Sequence, residues 1–177
     1  MIQLSTVLTG MIIMFGIIGF SRGWTKEIIA STGIVLALFT IEQFKAVFLE
    51  PLTAGADPAQ KFYFYAAILL IITFFAYQTP GRFERRTRPR RGLREGGLQE
   101  SLLGGVLGAF NGYLVAGSLW YYMRVLGYPL NPNIPAPYVG TVSEAMQYSL
   151  PLDWLLEGNL LTLLVVILFL FVIIVLI

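Results

Sequence analysis

Five apolar runs of membrane-crossing length, joined by short polar segments, fix the class of this chain before any other feature is read. The runs are Leu4–Ser21, Ile28–Leu49, Phe62–Thr79, Leu102–Met123 and Leu160–Ile177. At a helical rise of about 1.5 Å per residue, each can cross a hydrocarbon layer of roughly 30 Å. Lipid offers the backbone no hydrogen-bond partners, so such runs must be helices that satisfy their own peptide groups. A content of 56% hydrophobic against 12% charged residues excludes a water-facing domain of this size. The expected fold is therefore all-α, a polytopic transmembrane helical bundle of about five spans. Residues 1–123 form a four-span membrane core, 124–158 an extracytoplasmic proline-rich segment, and 159–177 a C-terminal transmembrane helix.

Orientation follows from one loop. Arg82, Arg85, Arg86, Arg88, Arg90, Arg91 and Arg94 crowd the segment between the third and fourth runs. Carrying that many guanidinium groups through hydrocarbon is far more costly than leaving them behind, so the block is expected on the cytoplasmic face. Counting outward puts the N-terminus outside and the C-terminus in the cytoplasm. No basic residue precedes Leu4, which favours an uncleaved first span over a secretory leader. The last run ends without a polar tail, and a chain continuing past Ile177 is the alternative reading there. The arginine block is also suited to anionic lipids or an acidic partner, with Glu84, Glu95 and Glu100 offsetting part of its field. Nucleic acid is not an expected partner, because Pro89 and the glycines interrupt the block and no aromatic residues interleave it.

The chain has no cysteine and no histidine. That removes disulfides, thiolate nucleophiles, imidazole bases and the usual soft metal sites. The carboxylates are scattered, with no paired spacing for acid-base work or metal binding. The expectation is a protein that is not an enzyme and carries no cofactor and no metal.

Within this frame a few residues stand out. Ser21 to Glu27 reads as a tight connection carrying Arg22 and Lys26 on the cytoplasmic side. Glu42 and Lys45 sit three apart near the end of the second run, close enough to pair on a helix. Glu50, Pro51, Gly55, Asp57 and Pro58 mark a loop. In the fourth run Gly104, Gly108, Gly112 and Ala116 recur every fourth residue, which lines one helix face with small side chains and lets a neighbouring helix approach closely. Asn111, amid that ladder, must turn its amide toward another helix, since in hydrocarbon it finds no other partner. After Arg124, the prolines at 129, 132, 135, 137 and 151 punctuate an acidic-leaning outer segment. In it Thr141 and Glu144 predict a capping box that starts a short helix, with Val142, Ala145 and Met146 toward lipid or protein and Pro151 as its stop. Trp154 suits the membrane surface.

Two stretches then resemble a known family. Gly19-Phe20-Ser21-Arg22-Gly23-Trp24-Thr25-Lys26-Glu27 is similar to the first motif of the colicin V production protein (CvpA) family, an apolar helix ending in Arg-Gly-aromatic-x-basic-Glu; Arg22, Gly23 and Glu27 match, and Lys26 stands for the more usual arginine. Leu103 to Gly112 resembles the family's Leu-Gly-x-x-x-Gly-x-x-Arg-Gly, with Asn111 in place of the arginine, and Glu100-Ser101 stands where an Asp-Arg pair is usual. The resemblance covers Met1 to Met123. It implies a multi-pass protein of the bacterial inner membrane, connected with toxin production or secretion and with envelope homeostasis, and it implies no reaction. The expected role is that of a noncatalytic component acting through membrane protein partners. The alternative is a small transporter or channel built as a homo-oligomer, for which Glu42, Lys45 and Asn111 are the residues to examine first.

Overall fold

The structure is a computed structural model, and it describes residues 3–78 and 95–176. The arginine block from Arg82 to Arg94 lies outside the described residues. Every regular element among those described is helical: α1 (Leu4–Arg22), α2 (Trp24–Phe44), a π-helical stretch (Lys45–Leu49), α3 (Glu50–Leu52), α4 (Pro58–Tyr77), α5 (Glu95–Val125), α6 (Val142–Met146), α7 (Pro151–Leu156), a 3-10 turn (Glu157–Asn159) and α8 (Leu160–Leu176). Five of the resulting helices are long and apolar enough to cross a membrane.

The connection expected from Ser21 to Glu27 is almost entirely helical. Only Gly23 breaks it, with φ 82° and ψ 159°, a conformation essentially closed to residues with a Cβ. Helix α2 restarts at Trp24, four residues before the second run was expected to begin, and this draws Glu27 into the membrane span. The glycine therefore forms an elbow between two nearly continuous helices. We call this the elbow end of the bundle. The opposite end, where α1 begins and the proline-rich segment folds over, is the cap end.

The glycine ladder is filled from within the chain. Helix α5 packs chiefly on α1, and the contact is close enough that side chains would collide with backbone. A Cβ on Gly108 would stand 2.3 Å from the Phe15 carbonyl oxygen, one on Gly104 2.4 Å from that of Gly19, and one on Gly112 2.8 Å from that of Met11. The rising α5 numbers against falling α1 numbers show an antiparallel pair. Van der Waals contact at this range supplies the association that lipid, being as apolar as the side chains, does not. Helix α2 lies across α4 and α5, and Gly33 leaves room there for Ala76.

The core concentrates toward the cap end, where Ile34, Leu38 and Ile41 of α2 meet Leu69 of α4 and Leu114 and Tyr122 of α5. Exposed apolar residues such as Ile17, Phe75 and Val106 face outward, as lipid-facing positions should. Helix α4 starts on a capping box, with the Gln60 amide donating to Asp57 Oδ1 at 2.7 Å and Pro58 in the first turn. Helix α8 rests mainly on α2 and α7, with one polar contact from Gln43 Nε2 to Thr162 Oγ1 at 3.3 Å.

The proline-rich segment covers the cap end through specific bonds. Arg124 donates to both carboxylate oxygens of Asp153, and Asp153 also accepts from the Leu150 amide. Ser143 donates to Ser5 Oγ at 2.8 Å and accepts from the Ser5 amide. Tyr128, pressed by burial toward a higher pKa, donates to Gln147 at 2.8 Å. Trp154 donates to Tyr113 at 3.2 Å. The expected capping box at Thr141 is half formed. Thr141 Oγ1 accepts from the Glu144 amide, but the Glu144 carboxylate reaches one residue further back, to the Gly140 amide. Of the three apolar residues on that short helix, Met146 packs against the core, whereas Val142 and Ala145 are exposed. Helix α6 ends at Met146, and Pro151 opens α7 instead of stopping α6. Proline is at home in a first turn, where its missing N–H removes no helical bond.

Candidate functional site

The most concentrated chemistry in the molecule lies at the elbow end, around Glu27. Its side chain is fully buried. The restart of α2 at Trp24 places Glu27 in the first turns of that helix, where the positive end of the helix dipole favours a carboxylate. Arg22, the last residue of α1, turns back across the Gly23 elbow and donates from Nη1 to Glu27 Oε1 at 2.8 Å. Tyr77, at the end of α4, donates its hydroxyl to Glu27 Oε2 at 2.9 Å. Asn111 of α5 donates from Nδ2 to the same oxygen at 2.9 Å and lies 3.2 Å from the Glu27 carbonyl.

The partners are tied to one another as well. Arg22 Nη2 donates to the Tyr77 carbonyl at 3.0 Å, filling one of the acceptors that the C-terminus of α4 would otherwise leave open. The guanidinium carbon lies 4.3 Å from the centre of the Tyr77 ring. Ser31, one turn along α2 from Glu27, has its hydroxyl 2.6 Å from Asn111 Oδ1 and 2.9 Å from the Glu27 carbonyl. Three helices thus converge on the carboxylate of a fourth, each through a different side chain. A buried ion pair is sustained only with further hydrogen-bond partners, and here both the carboxylate and the guanidinium have them. Glu100 lies over Gly23, its Oε1 3.1 Å from where a Cβ would stand.

The second polar group lies toward the cap end of α2. Glu42 Oε2 is 4.0 Å from Lys45 Nζ, and that ammonium is 5.9 Å from the centre of the Tyr65 ring. The Tyr65 ring in turn packs on that of Tyr122, with centroids 5.4 Å apart. Glu42 Oε1 and the Tyr122 hydroxyl are buried and face each other closely enough to interact. The hydroxyls of Thr73 and Ser118 are buried as well, without a hydrogen-bond partner among the described residues. Lys45 opens the π-helical stretch, a local widening of the helix that recurs near functional sites.

The structure brings together Arg22, Glu27 and Asn111 from the sequence motifs and adds Tyr77 and Ser31. It keeps Gly23 as the elbow, and Gly104, Gly108 and Gly112 as the seam that brings Asn111 within reach. Lys26 stands in the first turn of α2, next to Glu27 in sequence. Glu42 and Lys45 lie on the same helix as Glu27 but near its other end, so the charged positions form two separate groups. Tyr77, Ser31, Thr73, Ser118 and Tyr122 carry no signal in composition. What could have pointed to them is spacing: Glu27 with Ser31, and Ser118 with Tyr122, are one helical turn apart.

The family model for the colicin V production protein matches residues 4–149. The match takes in the elbow, both glycine-rich faces of the seam and the proline-rich segment as far as Ser149. No curated protein and no solved structure matches the chain. With its elbow motif, its close-packed α1 and α5 and four of its five membrane-length helices inside the matched region, the chain belongs to the colicin V production protein family.

Proposed function

We propose that the chain is a noncatalytic component of the bacterial inner membrane that acts through membrane protein partners in toxin production or secretion or in envelope homeostasis. Family membership supports the setting. The observation that carries the noncatalytic reading is the saturation of Glu27: its carboxylate accepts from Arg22, Tyr77 and Asn111, so the strongest charge in the bundle is committed to holding helices together. A reacting acid or base needs a lone pair or proton free for substrate, and this group has spent them. The glycine ladder is likewise occupied by α1, which leaves the outward apolar faces of α1, α4, α5 and α8 for association with partners or with a second copy.

In this reading the elbow end faces the cytoplasm, with Arg22, Lys26 and the arginine block on one side, and anionic lipid head groups hold the block to the inner leaflet. Crosslinking in native membranes followed by mass spectrometry tests the proposal. Reproducible crosslinks from this chain to one or a few other membrane proteins are expected. Recovery of the chain alone, together with solute transport by the purified protein, would overturn it.

A further inference from the structure

Between Arg124 and Asp153 the chain carries one charged residue, Glu144, where an ordinary soluble stretch has about one in four. That carboxylate is turned back on its own loop, accepting from the Gly140 amide. The same stretch presents large apolar side chains outward: Val139 is 91% exposed, Tyr148 72%, Val142 65% and Tyr138 56%. Beside them a cavity of about 260 Å³ lies between Leu4, at the start of α1, and Pro135, Pro137 and Tyr138. A cover facing bulk water would not gather so much apolar surface with so little charge. Bonds and packing fix its depth. Ser143 makes two hydrogen bonds with Ser5, at 2.8 and 3.1 Å, and Ser5 is the second residue of the α1 span. Pro151 fills the space left by the missing side chain of Gly117, which stands eight residues, or about 12 Å, before the end of α5. The Ser149 carbonyl accepts at 2.7 Å from the hydroxyl of Tyr113, four residues deeper on α5 than Gly117. The stretch from α6 to α7 therefore lies alongside the cap-end turns of two membrane-length helices, not above them.

We propose that residues 138–148 lie in the interfacial layer of the cap-side leaflet, with Tyr138, Val139, Val142 and Tyr148 in contact with lipid. The bilayer is the partner because α1 and α5, which hold the stretch at this depth, meet lipid there themselves. Tyrosine suits that layer, its ring among acyl chains and its hydroxyl in reach of head groups and water. The short α6 also satisfies amides at its own start, since Thr141 Oγ1 accepts from Glu144 and the Glu144 carboxylate from Gly140. A helix end so closed needs less help from bulk water. The cavity beside Leu4, with its largely apolar walls, then borders acyl chains. In this arrangement the proline-rich segment is a lipid-facing wedge in one leaflet, held to the bundle by Ser5 and Gly117.

The chain has no cysteine, so single cysteines can be introduced and spin-labelled one at a time. V139C and V142C, both at exposed positions, are compared in phospholipid vesicles with V106C on the outward face of α5 and A54C in the loop after α3. Power saturation reads the collisions of each label with oxygen, which concentrates in hydrocarbon, and with a water-soluble nickel chelate. An oxygen-to-nickel collision ratio at Val139 and Val142 at least about threefold above that at Ala54, on the side of that at Val106, is expected. A smaller ratio at either position marks a water-facing surface and overturns the proposal. Exclusion of both reagents there, as when a second copy or another protein covers the surface, overturns it as well.

Discussion

Glu27 and Glu42 lie on one helix, each beside a cation and a tyrosine, and they end in opposite states. Glu27 has its arginine at 2.8 Å and its tyrosine at 2.9 Å, with an asparagine completing the shell. Glu42 has its lysine at 4.0 Å and Tyr122 facing it, with no arginine and no amide completing the shell. The difference lies in how the partners arrive. Arg22 is delivered by the Gly23 elbow and Asn111 by a seam in which glycine removes every Cβ that would hold α5 away. Lys45 hangs on a flexible stem from the same helix as its acid, at the start of a π-helical stretch. A planar, forked guanidinium locked by two acceptors makes a structural joint, whereas a lysine at that distance leaves its carboxylate available.

The comparison can be broken most severely at the seam. Gly108→Leu drives a side chain into the Phe15 carbonyl, separating α5 from α1 and Asn111 from Glu27; loss of monodisperse folded protein in detergent is expected, and an unchanged elution profile would contradict the seam. Next in size is Glu27→Ala, which strands Arg22 without its acid. A loss of about 3–5 kcal/mol is expected in reversible unfolding in mixed micelles, as for other buried pairs broken on one side. Asn111→Ala removes two donor contacts and leaves Ser31 and the Glu27 carbonyl with less company, for about 1–3 kcal/mol by the same measurement. Glu42→Gln sharpens the contrast from the other side. Its stability should stay within about 0.5 kcal/mol of the parent, because the pair it breaks is long and partly exposed.

Much of the bundle was legible because the cue is composition. Lipid leaves a chain no alternative to apolar helices, and as far as they are described all five runs lie on helices, α2 and α4 starting four residues before the run and α5 seven. The glycine ladder announced a close helix contact, though four-residue spacing names a face and not its occupant, which proved to be α1. The elbow is less legible. Arg22, Lys26 and Glu27 look like a polar loop, and only the backbone angles at Gly23 show that the helix resumes at once and carries Glu27 inside. Tyr77 was hidden among aromatic residues that suit any membrane interface, and Ser31, Thr73 and Ser118 among small residues tolerated anywhere on a helix. Asn111 was legible by the cost of leaving an amide unpaired, and its partner was not, since that depends on how α2 crosses α5.

The most direct measurement is a pair of double-mutant cycles on the unfolding free energy, one joining Arg22→Ala with Glu27→Ala and the other Lys45→Ala with Glu42→Ala. A coupling of about 2 kcal/mol or more at the elbow against less than about 0.5 kcal/mol for the second pair is expected. Equal couplings, or a larger one between Glu42 and Lys45, would contradict the division of this bundle into a locked carboxylate and a loosely held one.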